Sequence, residues 1–315
     1  MKLIIYIIAI LLVISSCEDV INPTLPDAEP VLVIDAWVSN EDRPQHIFVN
    51  RSQPYFENEF PEKVDNAVVY IVDSEGNRFD FVENDSAYTW VAPQGEVFGV
   101  TGRTYDLTVE VEGRRYLSST IMGRAPEIDS VKFSYEESDG FIQEDYYLAE
   151  FVAKDFVGEG DTYWIKAYKN DAFLSKPGEI NVAFDAGFSR GGNIDGLVFI
   201  QPIQQGINPV DEDPENDNEF LPPYLIGDEV RVEIHSINLP AFFFLNEVII
   251  QTDRQGGFGA LFAQPLANLS TNIEVADASS TEQVLGFFNV AAVTSRSATL
   301  TAEIAAQAKA EAQEQ

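Results

Sequence analysis

Short stretches of alternating apolar and polar residues, separated by turn residues, fill the chain from residue 31 to residue 122. In Thr104–Val111 the odd-numbered positions are apolar and the even-numbered ones polar, which is the period of a strand with one buried face. About seven such strands without a helical segment predict an immunoglobulin-like or transthyretin-like β-sandwich. The segments are VLVIDAWVS, HIFVNRS, NAVVYIVD, RFDFVEN, AYTWVAP, TYDLTVEVE and RRYLSSTIM.

A second unit follows the boundary sequence GRAP at residues 123–126. The segments YYLAEFVAKD, DTYWIKAYKN and DEVRVEIHSI predict strands of a larger β-rich domain over residues 126–297. In DEVRVEIHSI apolar and polar residues alternate, so His235 is predicted to point away from the core. The predicted fold is therefore mainly β, with two β-sandwich domains.

One long helix is predicted in the second domain, near residues 239–254. Asn238 can cap its first turn, Pro240 suits that turn, and the pair Gly256-Gly257 ends it. Apolar residues lie on most of its faces, which predicts that neighbouring elements largely cover it. Residues 173–223 are Gly-rich, acidic and loop-like, the kind of segment in which binding residues tend to lie. The Ala-, Gln- and Glu-rich tail at 298–315 predicts a frayed helix or disorder.

The N-terminus predicts export and lipidation. Residues 1–16 contain the basic Lys2, an apolar stretch and two small residues, the three parts of a bacterial secretory signal. The apolar stretch is shorter than the about 20 residues that a spanning helix needs. The sequence VISSC resembles a lipobox, so Cys17, the single cysteine, is the predicted lipidation site. A secretory peptide with an incidental cysteine is the alternative. Residues 17–30 contain three prolines and predict a tether.

The net charge of the chain limits the classes of molecule that the protein is expected to bind. The formal net charge of −33 makes the surface repel phosphate backbones and anionic lipid headgroups. Nucleic-acid binding is therefore not expected, and the lipid on Cys17 must supply the membrane attachment. Glu18 and Asp19 resemble the acidic signal that directs Bacteroidota lipoproteins to the outer face of the outer membrane. Surface exposure is favoured, and a periplasm-facing location stays open.

Catalytic patterns are absent from the sequence. The two histidines, His46 and His235, are too few for a multi-histidine zinc site, and no HExxH, GxSxG, SxxK or phosphate-loop motif occurs. A Ser–His–Asp triad assembled from distant segments stays open, although nothing points to one. We therefore predict no catalytic residues and no enzymatic activity.

An acidic loop is the one candidate for a cation. Its carboxylates suit Ca²⁺, which takes six to eight oxygen ligands, but the loop lacks the glycine and glutamate positions of a helix–loop–helix calcium site. A solvated loop is therefore favoured, and neither a metal nor another cofactor is predicted. The candidate ligands are Asp211, Asp213, Glu215 and Asp217.

The aromatic residues give a weak indication of a ligand surface. Trp37, Trp90 and Trp164 each lie inside a predicted strand, where core packing is favoured over a platform for sugar rings. In the pair Tyr146-Tyr147, alternation puts one ring on each face of a strand, so at least one is expected to be exposed. The ligand-binding residues are not assigned.

Several segments together resemble a known family. A lipobox, VLVIDAWV, NAVVYIVDSEGN, YLSSTI followed by PEIDSVKF, GDEVRVEIHSI and NIEVADASSTEQVLGFFNVAAV occur in this order. They are similar to the Bacteroidota outer-membrane lipoproteins catalogued as domain of unknown function 4249, from Cys17 to about Ser297. Members are commonly encoded beside TonB-dependent receptors, so the resemblance implies a transport-associated role. It supplies no functional residues and does not include the tail.

The resulting hypothesis is a lipid-anchored outer-membrane protein without enzymatic activity. It would act as an accessory or ligand-capturing partner of a TonB-dependent receptor, with a small-molecule, peptide or glycan ligand. A structural or adhesive surface lipoprotein is the alternative from a different class, and a surface hydrolase is a third.

Overall fold

The computed structural model describes residues 29–314, apart from 55–56, 58, 95, 192, 217–218 and 255–266. The prediction of a mainly β fold is confirmed. Each of the seven segments predicted between residues 31 and 122 contains a strand. These strands are β1 (Leu32–Ser39), β2 (Gln45–Arg51), β3 (Val68–Asp73), β4 (Arg78–Glu83), β5 (Tyr88–Trp90), β6 (Thr104–Val111) and β7 (Arg114–Ile121).

The rest of the described chain adds further strands, three α-helices and a short 3₁₀ helix at Pro177–Glu179. The strands are β8 (Ile128–Glu136), β9 (Tyr146–Ala153), β10 (Thr162–Lys169), β11 (Ala172–Phe173), β12 (Asn181–Phe184), β13 (Glu229–Ile237), β14 (Glu274–Val275), β15 (Val284–Ala291) and β16 (Val293–Thr299). The helices are α1 (Gln201–Gln205), α2 (Leu239–Thr252) and α3 (Ala302–Gln313).

The larger sheet has nine strands in the order β14-β7-β6-β3-β4-β5-β2-β1-β15 and is nearly closed on itself. Its pairs are antiparallel except that β1 and β15 run parallel, from Leu32 opposite Val284 to Ser39 opposite Ala291. β14 and β15 come from beyond the predicted boundary at 123–126, so the two predicted units share one sheet. The division into two separate sandwich domains is not confirmed. Local sequence patterns carry no signal for a pairing between such distant strands.

A side chain helps to close the gap between the two ends of this sheet. Asn272, just before β14, donates its amide Nδ2 to the Phe288 carbonyl at 2.8 Å and accepts the Phe288 N–H at 2.9 Å. The side chain thus takes both backbone groups of a β15 residue, as a neighbouring strand would. On β7, Ser118 donates to the Asn272 carbonyl at 2.7 Å. The interior of the curled sheet is filled by buried apolar side chains such as Ile34, Ile71, Tyr105, Val109 and Phe288.

Replacing Asn272 with alanine is expected to lower the free energy of unfolding by about 2 kcal/mol, because it removes two hydrogen bonds and leaves the Phe288 backbone unpaired. Urea unfolding followed by circular dichroism measures the change. Asn50→Ala is the matched control, since the Asn50 side chain, in β2, has no hydrogen bond with another described residue. Equal stability of the two variants would show that Asn272 does not hold the sheet closed.

The smaller sheet has the order β11-β10-β13-β16, and β12 also pairs with β10. One face packs against the β8–β9 hairpin, α1 and α3, around buried residues such as Phe151, Tyr163, Phe199, Val232 and Ile234. The opposite face is turned toward β1 and β15 of the larger sheet. A third apolar cluster fills this junction, where Phe242 and Leu245 of α2 meet Phe287 of β15.

The helices differ partly from expectation. In α2, Asn238 accepts the Ala241 N–H at 2.8 Å, the cap expected from the sequence, and the helix ends at Thr252. Gly256-Gly257 lies outside the described residues. The tail forms the regular helix α3 instead of a frayed end, since Ala305 packs in the apolar core beside the smaller sheet, Ala308 is also buried, and Thr301 caps the first turn. Alanine is small enough for this helix to approach the sheet closely.

Candidate functional site

Of the predicted cation ligands, the three that the structure describes, Asp211, Asp213 and Glu215, do not form a group of metal ligands. Asp211 pairs with Lys176, while Asp213 accepts hydrogen bonds from Glu215 N at 2.8 Å and Asn216 Nδ2 at 2.9 Å. Asp217 and the predicted lipidation site Cys17 lie outside the described residues. The carboxylates of Asp211 and Asp213 therefore serve local contacts.

The three tryptophans separate into two environments. Trp90 is buried in the core of the larger sheet beside Phe79 and Phe98, as predicted. Trp37 on β1 and Trp164 on β10 are only partly buried, and their rings meet edge to face with centroids 5.3 Å apart. They join the two sheets at one end of the third apolar cluster.

The neighbouring tyrosine pair does not form a comparable surface. Tyr146 is buried and Tyr147 is partly buried, so neither ring is as exposed as the alternation suggests. The Tyr146 hydroxyl donates to Asp139 at 3.2 Å. This pair is therefore not part of the candidate site.

A crevice of about 300 Å³ opens beside Trp37 and Trp164. One wall is formed by β1, the start of β2 and the end of β15, and the other by β10 and β13. Apolar side chains make up much of the lining, and four ionisable side chains from different segments reach it. Its main side chains are Trp37, Arg43, His46, Phe48, Trp164, Lys166 and His235.

Lys166 provides the cation of the crevice. Its Nζ lies over the Trp164 ring, 4.0 Å from the centroid, and makes no hydrogen bond or ion pair with any described residue. Burial in this aromatic setting lowers the pKa of Lys166 to about 8, while the charge of Glu233 acts in the opposite direction. At neutral pH the ammonium is mostly protonated and lacks a direct counter-ion.

His235 lies beside this lysine and faces away from the core of Val232 and Ile234, as its alternation predicts, but it is buried. The larger sheet covers that face of β13. Burial and the Lys166 charge lower the pKa of His235 to about 4. The ring is therefore neutral at pH 7, and its Nε2 donates to Glu233 at 2.9 Å.

Glu233 is a buried carboxylate with three partners. It accepts from His235, from the Tyr168 hydroxyl at 3.1 Å, and from Arg231. Burial acts to raise the pKa of Glu233, but the His235 hydrogen bond and the nearby positive charges hold it below its usual range. Glu233 therefore stays ionised and fixes the neutral tautomer of His235 with the proton on Nε2.

The second histidine, His46, is at the crevice mouth and is exposed. Its Nδ1 pairs with the Thr89 hydroxyl at 2.8 Å. Thr89 is not one of the residues that line the crevice, and the one hydroxyl among the described lining residues, Ser39 Oγ, donates to Glu41 at 2.9 Å. The described lining therefore does not itself pair a serine or threonine hydroxyl with a histidine as a nucleophile and its base would be paired.

A metal ion fits the crevice poorly. Ligand atoms of Glu41, Glu233 and His235 lie within 4.8 Å of one another, the spacing of a possible three-ligand site. However, Glu41 is paired with Arg43, and Glu233 with Arg231. Two guanidinium groups and the Lys166 ammonium already occupy the surroundings that a cation would need, so the charge of the group favours an anion instead.

A family model described as a domain of unknown function, DUF4249, matches residues 18–297. The chain belongs to this family. The DUF4249 match includes both sheets apart from the last two residues of β16, and it ends before α3. Neither the curated proteins nor the solved structures gave a match. Among the helices that the structure describes, none is long and apolar enough to cross a membrane.

Sequence reasoning missed Lys166 and Glu233 as parts of this DUF4249 crevice. The available signal was the alternation itself, because Trp164 and Lys166 share one face of β10 while Glu233 and His235 share one face of β13. The pairing of Lys166 with Glu233 across the two strands completes a polar patch beside a tryptophan. Strand β1 covers this patch and shields it from solvent. The local sequence does not reveal that β1 packs there.

Proposed function

We propose that this DUF4249 protein is a lipid-anchored, non-enzymatic outer-membrane protein that captures a ligand in the crevice between its two sheets. The observation that carries the proposal is the pairing of every hydroxyl and imidazole donor in the described lining with a structural partner, while Lys166 keeps its ammonium without one. Such a lining suits reversible binding better than covalent catalysis.

In this proposal the anchor on Cys17 and the tether display the crevice beside a TonB-dependent receptor. Holding two binding partners on one membrane raises their effective concentration without any new contact. The ligand would be bound by the displayed crevice and passed to the receptor. The lipobox sequence and the prolines that follow it support this arrangement.

Replacing Cys17 with serine is expected to move the protein from the membrane to the soluble fraction and to abolish labelling by radioactive palmitate, since the thiol that carries the lipid is removed. Fractionation followed by immunoblotting measures the first effect. Lys166→Gln is the control and should stay in the membrane fraction. Persistent membrane association of the serine variant would contradict the anchor.

The transporter partnership needs a separate experiment. The wild-type protein, solubilised from outer membrane in mild detergent, is captured through an affinity tag after crosslinking in intact cells. A β-barrel receptor should be recovered with the wild type and lost with Cys17→Ser. Recovery of no receptor from crosslinked cells would overturn the partnership, while leaving the anchor to the fractionation experiment.

A further inference from the structure

Lys166 stands out among the cations that face this crevice. Arg43, the other lining cation, pairs with Glu41, and Arg231, outside the lining, pairs with Glu233, so the charges of both are compensated within the protein. Lys166 has the face of Trp164 beneath its Nζ but no carboxylate within ion-pair distance among the described residues. In a chain with net charge −33, a cation held away from its many carboxylates is a local exception.

The surroundings of Lys166 define the shape of an occupant. Trp37, Phe48 and Ile237 make apolar parts of the wall, and Phe48 is 39% exposed. The volume of about 300 Å³ is at the lower limit of ligand pockets, which fits one ring with its substituents. An apolar wall with one cation that has no ion-pair partner among the described residues suits a molecule that is anionic at one end and flat and apolar along its side.

We propose that the crevice binds a ring-bearing carboxylate, with the carboxylate at Lys166 Nζ and the ring against the apolar wall that includes Trp37 and Phe48. The inference rests on the proposed capture function and adds the chemical class of the ligand. A carboxylate gives the lysine ammonium the charge-assisted hydrogen bond that the protein itself does not supply. Two sources share this chemistry, the acidic sugars and the aromatic acids.

The charge of the crevice predicts how binding depends on pH. Around Lys166, the carboxylates of Glu233, Glu41 and Asp35 favour its protonated form, and Arg43 opposes it, while burial lowers its pKa to about 8. Above that pH the unliganded lysine loses its charge, so affinity for a carboxylate falls toward tenfold per pH unit. An arginine at this position stays charged throughout this range and should keep its affinity to higher pH.

The test uses full-length protein in detergent micelles and two carboxylate probes, D-glucuronate and benzoate. Methyl glucoside and benzyl alcohol are their neutral counterparts. Calorimetric titration gives affinity, and tryptophan fluorescence reports on the site because Trp37 and Trp164 line it. Lys166→Gln and Lys166→Arg are compared with wild type, and Lys132→Gln is the matched control, an exposed lysine on β8.

We expect at least one carboxylate probe to bind the wild type and Lys132→Gln with equal affinity. Comparing D-glucuronate with benzoate then shows whether the crevice prefers a sugar ring or an aromatic ring. Lys166→Gln should weaken binding at least about tenfold, and Lys166→Arg should bind with a weaker dependence on pH between 7 and 9.5. Equal binding of the neutral counterparts, unchanged affinity in Lys166→Gln, or no binding of either carboxylate would overturn the inference. Fractionation and receptor recovery are unaffected by these outcomes, so failure of the ligand class is distinguishable from failure of the anchor or the partnership.

Discussion

Replacing Gly286 with alanine is expected to lower the free energy of unfolding by at least about 3 kcal/mol, an effect typical of strained backbone combined with a core clash. Gly286 lies in β15 with φ +98°, a conformation that side-chain-bearing residues rarely adopt. A Cβ there would stand 2.0 Å from the Ile34 carbonyl oxygen. Because that oxygen belongs to the paired strand β1, relief requires the two strands to separate.

Gly76→Ala separates the two causes of this loss. Gly76 has φ +86° in the turn between β3 and β4, but no atom lies within 4 Å of its added Cβ. This variant should cost about 1 kcal/mol from backbone strain alone. Chemical denaturation of both variants gives the comparison. A Gly286 variant as stable as the Gly76 variant would mean that the close approach of β1 and β15 is not needed for the fold.

His235 should make the protein lose stability as the pH falls from 7 to 5. Its pKa is about 4 in the folded protein, below the ordinary value of 6.5, because burial and the Lys166 charge disfavour the imidazolium. Between these pH values the unfolded chain binds more protons than the folded one, so the stabilising contribution is complete above pH 6.5 and is lost toward pH 4. Between pH 7 and pH 5 the free energy of unfolding is expected to fall by about 2 kcal/mol.

The measurement compares unfolding free energies at pH 7 and pH 5. The charged groups that face the ring are Glu233, Glu41, Lys166 and Arg43. His235→Gln should remove the extra loss at pH 5, since glutamine can still donate to Glu233 and does not titrate. His46→Gln, which deletes the exposed imidazole, is the control and should keep the wild-type difference. If both variants keep that difference, His235 is not the source of the acid sensitivity.

The individual strands and the helix start could be predicted because alternation and capping residues are visible within a few neighbouring positions of the sequence. Alternation locates all seven strands before residue 122, and Asn238 with Pro240 locates the start of α2. The tail helix could not be predicted as fully, since its stability comes from Ala305 in the core and from packing on β8 and not from its own apolar content. Propensity alone cannot supply such tertiary contacts.

The candidate site depended on information that the sequence does not carry locally. Alternation correctly places Glu233 and His235 on the face of β13 opposite Val232, but a polar face usually meets solvent. Here β1 and β15 cover it, and their mutual pairing joins strands from the two ends of the described chain. The resulting burial changes the pKa of His235 and leaves Lys166 in an aromatic crevice.

Because β1 pairs with β15, the larger sheet can be completed only late in the synthesis of the chain. β1 is made near the beginning, and one of its edges has no partner until residues 284–291 have been added. An unpaired strand edge is a template for joining other chains, and pairing between distant segments slows folding. The nine-stranded sheet is therefore a late product of folding, and its earliest strand is the one most exposed to wrong partners in the meantime.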